Sequence, residues 1–292
     1  MKKILLATTF LVVTTSFAAA ESHVENISFG GSAKMGVAKD AGFDENGDGD
    51  FLDLDEVAPT DFETYSSAEL AVTFLGDTDN GLTFGADFAV TVGRSYTLGD
   101  GDGFTDEGGF DPMPTLWIDG AYGKLSVSDD NFDFFDDAHA GGDVMYEATF
   151  GAIAVGLIAD VDASEFSAKA AYTAGNLAAS FNADTYALWN VEVSYTFNVI
   201  TATVATNEAA ESSVKIAYAS GPITASVKYN TADESVDIAA GLVNNGMTLN
   251  AEYNTVSAAY KVTTEFDLGG GLALEAGVNQ TGDVMVGAKM EF

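Results

Sequence analysis

The feature that most constrains this chain is a strict alternation of apolar and polar side chains in short segments. Residues 284–292 place Val286 and Phe292 on one face, and Lys289 and Glu291 on the other. A period of two is that of a β-strand whose two faces meet different environments. The chain is therefore predicted to be an all-β protein.

The same alternation recurs along nearly the whole chain, from about residue 27 to residue 292. Turn signals separate the alternating segments, and Asn244-Asn245-Gly246 and Gly269-Gly270-Gly271 are two of them. Asn-Gly and Gly-Gly supply the positive φ angles that tight hairpin turns require. We expect about 16 strands, with 18 as the alternative, each long enough for a tilted membrane strand. An even number places both termini at the same, periplasmic, end.

Two architectures would produce this alternation: a soluble β-sandwich, and a transmembrane antiparallel β-barrel. The strands are too many for one sandwich, and short turns alternate with long loops, as they do in barrels. No segment outside the amino terminus approaches the roughly 18 apolar residues of a membrane-spanning helix. The sequence therefore favours the transmembrane barrel.

The amino terminus indicates export. Lys2 and Lys3 precede an apolar run, and small residues end the segment before Glu21. This is typical of a secretory signal peptide, predicted at residues 1–20, and the alternative is a retained membrane anchor. Residues 21–292 are predicted to form one barrel domain. The chain has no cysteine, so a disulfide framework is excluded.

The chain is strongly acidic, with a formal net charge of −34. Loss of Lys2 and Lys3 with the leader would leave nine Lys and Arg against 45 Asp and Glu, a charge of −36. This excludes a nucleic-acid partner, because binding of phosphates requires Lys and Arg. The acidity suits a surface that handles cations, or a saline habitat.

Several local motifs, in order and spacing, resemble one family. Residues 32–37 resemble its first strand, residues 78–86 its first periplasmic hairpin, and residues 120–125 the turn before its constriction loop. Residues 268–271 resemble its last hairpin, and the alternating terminus resembles the closing strand that ends on Phe292. The chain is similar to the alphaproteobacterial, Rhodobacter-type, porins of the Gram-negative outer membrane.

This resemblance implies a homotrimeric, water-filled channel surrounded by outer-membrane lipid and lipopolysaccharide. General diffusion of small hydrophilic solutes would be its function, with the third loop folded inward. The chain departs from the family in two ways. Its third loop, about residues 129–143, is shorter, and its only arginine is Arg94, so lysines would have to replace the arginine cluster of the pore.

Charged side chains on the polar faces of the strands are predicted to line the channel, because Lys facing lipid near the midplane costs about 2–4 kcal/mol. They are Lys34, Glu69, Asp87, Asp119, Lys169, Glu192, Lys215, Lys228, Asp237, Glu252, Lys261, Glu265, Glu275 and Lys289. The third loop adds Asp129, Asp133, Asp136 and Asp137 if it folds inward, and the alternative places it outside over the rim. The excess of carboxylates predicts a preference for cations.

An acidic extracellular loop, about residues 40–61, contains the pattern of a calcium-binding loop. Oxygen ligands fall at the first, third and fifth positions, glycine at the sixth and a carboxylate at the twelfth. The predicted Ca²⁺ ligands are Asp44, Asn46, Asp48, Asp50 and Asp55. Residues 100–107 are a weaker example. The alternative for both is an acidic, solvated loop without a bound ion.

No catalytic motif is present. His23 and His139 are the only histidines, and neither a nucleophile elbow nor a phosphate-binding loop occurs. The chain is therefore predicted not to be an enzyme. The rival to the porin hypothesis is a secreted, acidic, calcium-binding β-sheet surface protein without a pore.

Overall fold

The computed structural model describes residues 24–42, 61–98, 103–110, 114–135, 142–161 and 165–292. None of these residues belongs to a helix long and apolar enough to span a membrane. The strands are β1 (Val24–Lys39), β2 (Glu63–Asp77), β3 (Thr83–Tyr96), β4 (Phe104–Phe110), β5 (Thr115–Gly120), β6 (Gly123–Phe132), β7 (Gly142–Phe150), β8 (Ile153–Asp160), β9 (Glu165–Ala174), β10 (Leu177–Asp184), β11 (Trp189–Phe197), β12 (Ile200–Asn207), β13 (Ser212–Ser220), β14 (Ile223–Asn230), β15 (Val236–Asn244), β16 (Met247–Asn254), β17 (Tyr260–Gly269), β18 (Leu272–Asn279) and β19 (Val284–Glu291).

The strands form one closed antiparallel sheet. Each pairs with its neighbours in sequence, except that β4 and β5 both pair with β3 and not with each other. β1 also pairs with β19, from Ser32 opposite Glu291 to Lys39 opposite Val284. This last ladder joins the first and last strands and closes the sheet into a barrel. Closure removes the free edges that an open sheet would present. The predicted antiparallel barrel is confirmed.

The barrel wall has eighteen strands, because β4 and β5 together occupy one position next to β3. Residues 90–96 of β3 pair with β4, whereas residues 83–87 pair with β5. The structure therefore has the larger of the two expected strand numbers. Many strands after β7 are only eight or nine residues long, so more of them fit into the same length of chain.

The two ends of the barrel differ in the length of their connections. At one end, tight turns join the strands, and at the turn between β15 and β16 Asn245 and Gly246 have φ angles of 50° and 81°. Two positive φ angles in succession are those of a type I′ hairpin turn, as the Asn-Gly pair predicts. β1 begins and β19 ends at this end of the barrel, because Ser32 lies opposite Glu291 and Lys39 opposite Val284 in the ladder between them.

The outer and inner faces of the wall differ in polarity. Val193, Val204, Val227 and Val286 are 41%, 53%, 49% and 59% exposed, and all four point away from the lumen. Their neighbours along each strand face inward and are polar or small, except Met285 beside Val286, which packs against an inner cluster. An apolar exterior around a polar interior is the reverse of a soluble protein, and it is the arrangement of a membrane barrel.

A small aromatic cluster lies inside the barrel and lines part of its wall. It consists of Ala38, Tyr65, Tyr96, Leu98 and Phe104. The rings of Tyr96 and Phe104 lie 4.7 Å apart, and those of Tyr65 and Tyr96 6.0 Å apart. Such distances allow favourable aromatic contact. The cluster therefore holds together the start of β2, the end of β3 and the start of β4.

Tyr65 crosses two neighbouring strands that carry glycines beneath it. A Cβ atom at Gly36 of β1 would lie 2.6 Å from Tyr65 Cζ, and one at Gly287 of β19 would collide with the phenol oxygen. The phenol reaches β18, where it donates a hydrogen bond of 3.3 Å to Glu275. Both glycines are required because any side chain would occupy the space of the ring.

The facing of β14 can be tested with two adjacent substitutions. Val227→Arg should reduce insertion into lipid strongly, because Arg on the lipid face costs about 2–4 kcal/mol at the midplane. Ser226→Arg is the matched control, because Ser226 lies on the inner face. The yield of heat-modifiable, folded protein in detergent or vesicles measures both. Equal yields for the two variants would contradict the assigned faces.

Candidate permeation channel

The inner face of the wall carries the charged side chains that the sequence predicts to line the channel. The alternation along each strand and the ladder register place these residues inward: Lys34, Glu69, Asp87, Asp119, Lys169, Glu192, Lys215, Lys228, Asp237, Glu252, Lys261, Glu265, Glu275 and Lys289. Lys34, for example, lies opposite Ser67 on one side and Lys289 on the other, while Met35 next to it is exposed on the outer face.

Few of these charges neutralise one another directly. Arg94 forms an ion pair with Glu63 at 2.5 Å, and Lys289 forms one with Glu291 at 2.5 Å. A second, longer contact joins Arg94 to Asp106 at 3.7 Å. Among the other inner-face charged residues named above, no carboxylate forms an ion pair with an ammonium group. Most of the inner charge is therefore available to ions in the lumen.

Lys124 is an inner-face residue that sequence reasoning missed. Its ammonium lies 4.8 Å from the centroid of the Trp117 ring, and the Trp117 indole N–H donates to Asp87 at 2.7 Å. Lys124 is the second residue of β6, directly after a tight turn. In the sequence it was assigned to that turn, so its side chain was not assigned to a face of the wall. The alternation of Lys124 and Ser126 with the apolar Leu125 and Val127 was the signal available in the sequence.

The described part of the third loop enters the lumen. The ring of Phe134 lies against Gly156 of β8, where an added Cβ would be 2.5 Å from Phe134 Cζ. Lys169 of β9 places its ammonium 5.7 Å from the centroid of the same ring, and the Asn182 amide of β10 donates to the Phe134 carbonyl at 3.4 Å. These contacts fasten the loop to the inside of three adjacent strands.

The carboxylates of the third loop are only partly described. Asp129 and Asp133 are exposed, and Asp133 accepts a hydrogen bond of 2.7 Å from the Phe135 amide. Asp136 and Asp137 lie outside the described residues. Further carboxylates border the loop that sequence reasoning did not select, namely Asp160, Glu165 and Asp184.

A second group of contacts joins β1, β3 and β18 at the end of the barrel opposite the tight turns. The buried Asp40 accepts hydrogen bonds from the Gly103 amide at 2.9 Å and the Gly42 amide at 2.8 Å. Asp283, also buried, accepts one of 2.7 Å from Ala41. Leu98 packs into the lumen against Gly277 of β18. These contacts fill the lumen beside β18, β1 and β3.

The described contacts therefore leave the wall from β11 to β17 as the open side of the lumen. Phe134 covers β8 to β10, and the aromatic cluster covers the inside of β18, β19 and β1 to β3. On the open side a recess of about 350 Å³ lies along β13 to β17. Lysines and carboxylates both line this recess.

The predicted calcium ligands Asp44, Asn46, Asp48, Asp50 and Asp55 lie outside the described residues. In the ranges that are described, the side chains contain no group of three or more potential ligands arranged to hold a metal ion. Residues 1–20, the predicted signal peptide, are likewise not described.

Comparison with known proteins agrees with this architecture. The sequence matches the family model of the Gram-negative porins over residues 7–289. No curated protein matches the sequence. The fold is similar to that of a multiply substituted mutant of the Rhodopseudomonas blastica porin, with a TM-score of 0.53, 14% identity, and coverage of 91% of this chain and 100% of that one.

Two further structures give the same picture. A double mutant of the same porin has a TM-score of 0.54 at 13% identity, and a porin refined at 1.8 Å has one of 0.50 at 16% identity. Each covers 91% of this chain and 100% of its own length. At such identities the likeness shows the fold, whereas the family match extends over most of the sequence. The chain therefore belongs to the Gram-negative porin family, whose members are outer-membrane channels and not enzymes.

Proposed function

We propose that this porin is a general diffusion channel for small hydrophilic solutes, with a preference for cations. The observation that supports this function is a closed barrel whose inner wall is polar and carries charges that are mostly not ion-paired. The chain has nine Lys and Arg beyond residues 2 and 3, against 45 Asp and Glu. Lysines and carboxylates nearly balance on the inner strand faces, so the excess of negative charge in the lumen comes from the third loop and the carboxylates that border it. Such an excess next to a low-dielectric wall raises the local concentration of cations.

The third loop is proposed to narrow this channel. Phe134 fastens it to the wall at mid-height of β8 to β10, and the exposed Asp133 lies next to this anchor. The loop carboxylates would then act where the lumen is narrowest and where ions pass closest to fixed charges. The alternative position of the loop, outside over the rim, is not supported by the contacts of Phe134.

Two further properties are proposed from the family and the sequence. Porin homologues generally form trimers in outer-membrane lipid, and we propose the same assembly for this chain. Residues 44–55 are proposed to bind Ca²⁺ at the extracellular face. The rival hypothesis of a secreted surface protein without a pore is not supported, because the closed barrel has an apolar exterior and the sequence matches a porin family.

Cation preference is tested by zero-current potentials in a KCl gradient. We expect a potential with the sign of K⁺ selectivity that fades at high salt, because the screening length falls from about 10 Å at 0.1 M to about 3 Å at 1 M. Replacing Asp133, Asp136 and Asp137 with Asn should weaken the preference. Asp79→Asn, on a turn at the opposite end, is the control and should change little. An anion-selective parent channel would contradict the electrostatic argument.

Anchoring of the third loop is tested by Phe134→Ala. Without the ring, the loop loses its contacts with Gly156 and Lys169, so single-channel conductance should rise and the open current should become noisier. Phe150→Ala is the matched control, because Phe150 is 62% exposed on the outer face. If the two variants conduct alike, the loop does not restrict the lumen.

Calcium binding is tested by thermal unfolding with and without the ion. Extracellular calcium modules have dissociation constants of about 10⁻⁴–10⁻³ M. At a tenfold excess over such a constant, which is millimolar Ca²⁺, bound ion would stabilise the folded state by about 1.4 kcal/mol. Asp44→Ala combined with Asp48→Ala should remove this stabilisation, whereas Asp79→Ala should retain it. A parent protein whose melting ignores millimolar Ca²⁺ would show that the loop is only acidic.

A further inference from the structure

Three lysines line one recess on the open side of the lumen although the chain is strongly acidic. Lys215 of β13 and Lys228 of β14 are direct cross-strand partners, and Lys261 of β17 borders the same recess. Like charges directly opposite on neighbouring strands are destabilising. A chain with 45 carboxylates and few lysines has thus placed two ammonium groups next to each other inside the channel.

The neighbouring carboxylates do not neutralise this group. Asp237 lies opposite Lys228, but its Oδ1 accepts a hydrogen bond of 2.6 Å from Asn254, and its Oδ2 accepts one of 2.8 Å from Asn230. Glu252 lies opposite Lys261 without forming an ion pair in the described structure. The amides hold the Asp237 carboxylate in place, so it does not turn toward the lysine.

Asp233, in the connection between β14 and β15, is another carboxylate near this group. Hydrogen bonds from the Ser235 hydroxyl and amide lower the pKa of Asp233, and the charge of Lys228 lowers it further. The Ser235 amide donates at 3.0 Å to Asp233 Oδ1. Asp233 is therefore ionised at neutral pH, but these hydrogen bonds hold it in its own turn.

Lys34 and Lys289 are a second cross-strand pair of lysines, but Lys289 is neutralised by an ion pair, and two further inner-wall lysines also have a defined partner. Lys124 lies over the Trp117 ring, Lys169 lies over the Phe134 ring, and Lys289 is paired with Glu291. These residues belong to walls that are covered by side chains or lie near the tight-turn end. Lys215, Lys228 and Lys261 instead border open space of about 350 Å³, a size typical of small-molecule sites.

We propose that Lys215 and Lys228 form a weak binding site for the carboxylate group of small anionic solutes, with Lys261 receiving a second carboxylate. This proposal rests on the proposed channel function. One carboxylate can accept hydrogen bonds from two ammonium groups, and such charge-assisted bonds are the strong ones. It would also remove the repulsion between the two paired lysines.

The span of the site suits a short dicarboxylate. Lys228 and Lys261 are three strands apart, roughly 14 Å at about 4.8 Å per strand, and they are offset by two residues along the strands, roughly 7 Å more. Two flexible lysine side chains cover part of this distance, and a four-carbon dicarboxylate covers the remainder. Ser226, Asn254 and Gln280 add hydrogen-bonding groups to the recess. The site would bind anions locally in a channel whose overall electrostatic potential favours cations.

The test uses succinate as the probe, added to one side of a bilayer that contains the full-length folded protein. Succinate should reduce the single-channel KCl current with a saturating dependence on concentration. Uncharged 1,4-butanediol, of similar length, should not reduce it. Lys215→Gln or Lys228→Gln should raise the half-blocking concentration about tenfold, equivalent to about 1.4 kcal/mol.

Lys39→Gln is the matched control, because it removes the same charge from a residue on the outer-face register of β1, opposite Val284. Its half-blocking concentration should equal that of the parent. Conductance before succinate is added shows that each variant has folded and inserted.

Each outcome has a separate meaning. A conducting channel with no saturable block, or with the same block in Lys228→Gln and in Lys39→Gln, would overturn the carboxylate site and leave the channel function intact. A folded parent protein that produces no conductance would overturn the channel function and the site with it.

Discussion

The hydrogen bonding of the backbone in hydrocarbon is the constraint on which the rest of this structure depends. Lipid tails offer no partner to an amide or a carbonyl, so a spanning sheet must pair every strand and have no free edge. The ladder between β1 and β19 fulfils this requirement by joining the two ends of the chain. Once the sheet is closed, its outer face meets lipid and its inner face meets water. The two-residue alternation of polarity is the sequence expression of that division.

The lumen enclosed by this wall is not uniform. The third loop lies against one group of strands through Phe134, and the aromatic cluster around Tyr65 and Tyr96 covers another. The remaining wall, from β11 to β17, has side chains of both signs and few contacts that bind them to each other. Solutes and ions therefore meet a surface whose charges differ from the average charge of the chain. This separation between overall acidity and local composition would allow one channel to favour cations while holding carboxylates briefly.

Much of this arrangement follows from local sequence pattern. The facing of residues such as Lys34, Glu69 and Lys228 depends only on alternation within one strand, and the turn at Asn245-Gly246 depends only on adjacent residues. The number of strands in the wall does not follow from alternation, because β4 and β5 share one position beside β3. Only the pairing of the strands shows this. The contact of Phe134 with Gly156 and Asn182 joins segments far apart in sequence, which no periodicity encodes. Lys124 was missed because a turn motif and the start of a strand overlap there. The calcium loop remains a prediction from sequence.

The position of Tyr65 has a consequence for how the barrel is assembled. Its ring lies over Gly36 and Gly287, which belong to the two strands that meet at the closing ladder, and its hydroxyl reaches Glu275 beyond them. Residues on one face of a strand recur every second position, so a slip of β19 by two residues would bring Met285 or Lys289 beneath the ring in place of Gly287. Neither side chain leaves room for the phenol. Tyr65 therefore selects the register of the ladder between β1 and β19. Only the register that places Gly36 and Gly287 beneath the ring leaves room for the phenol when the barrel closes.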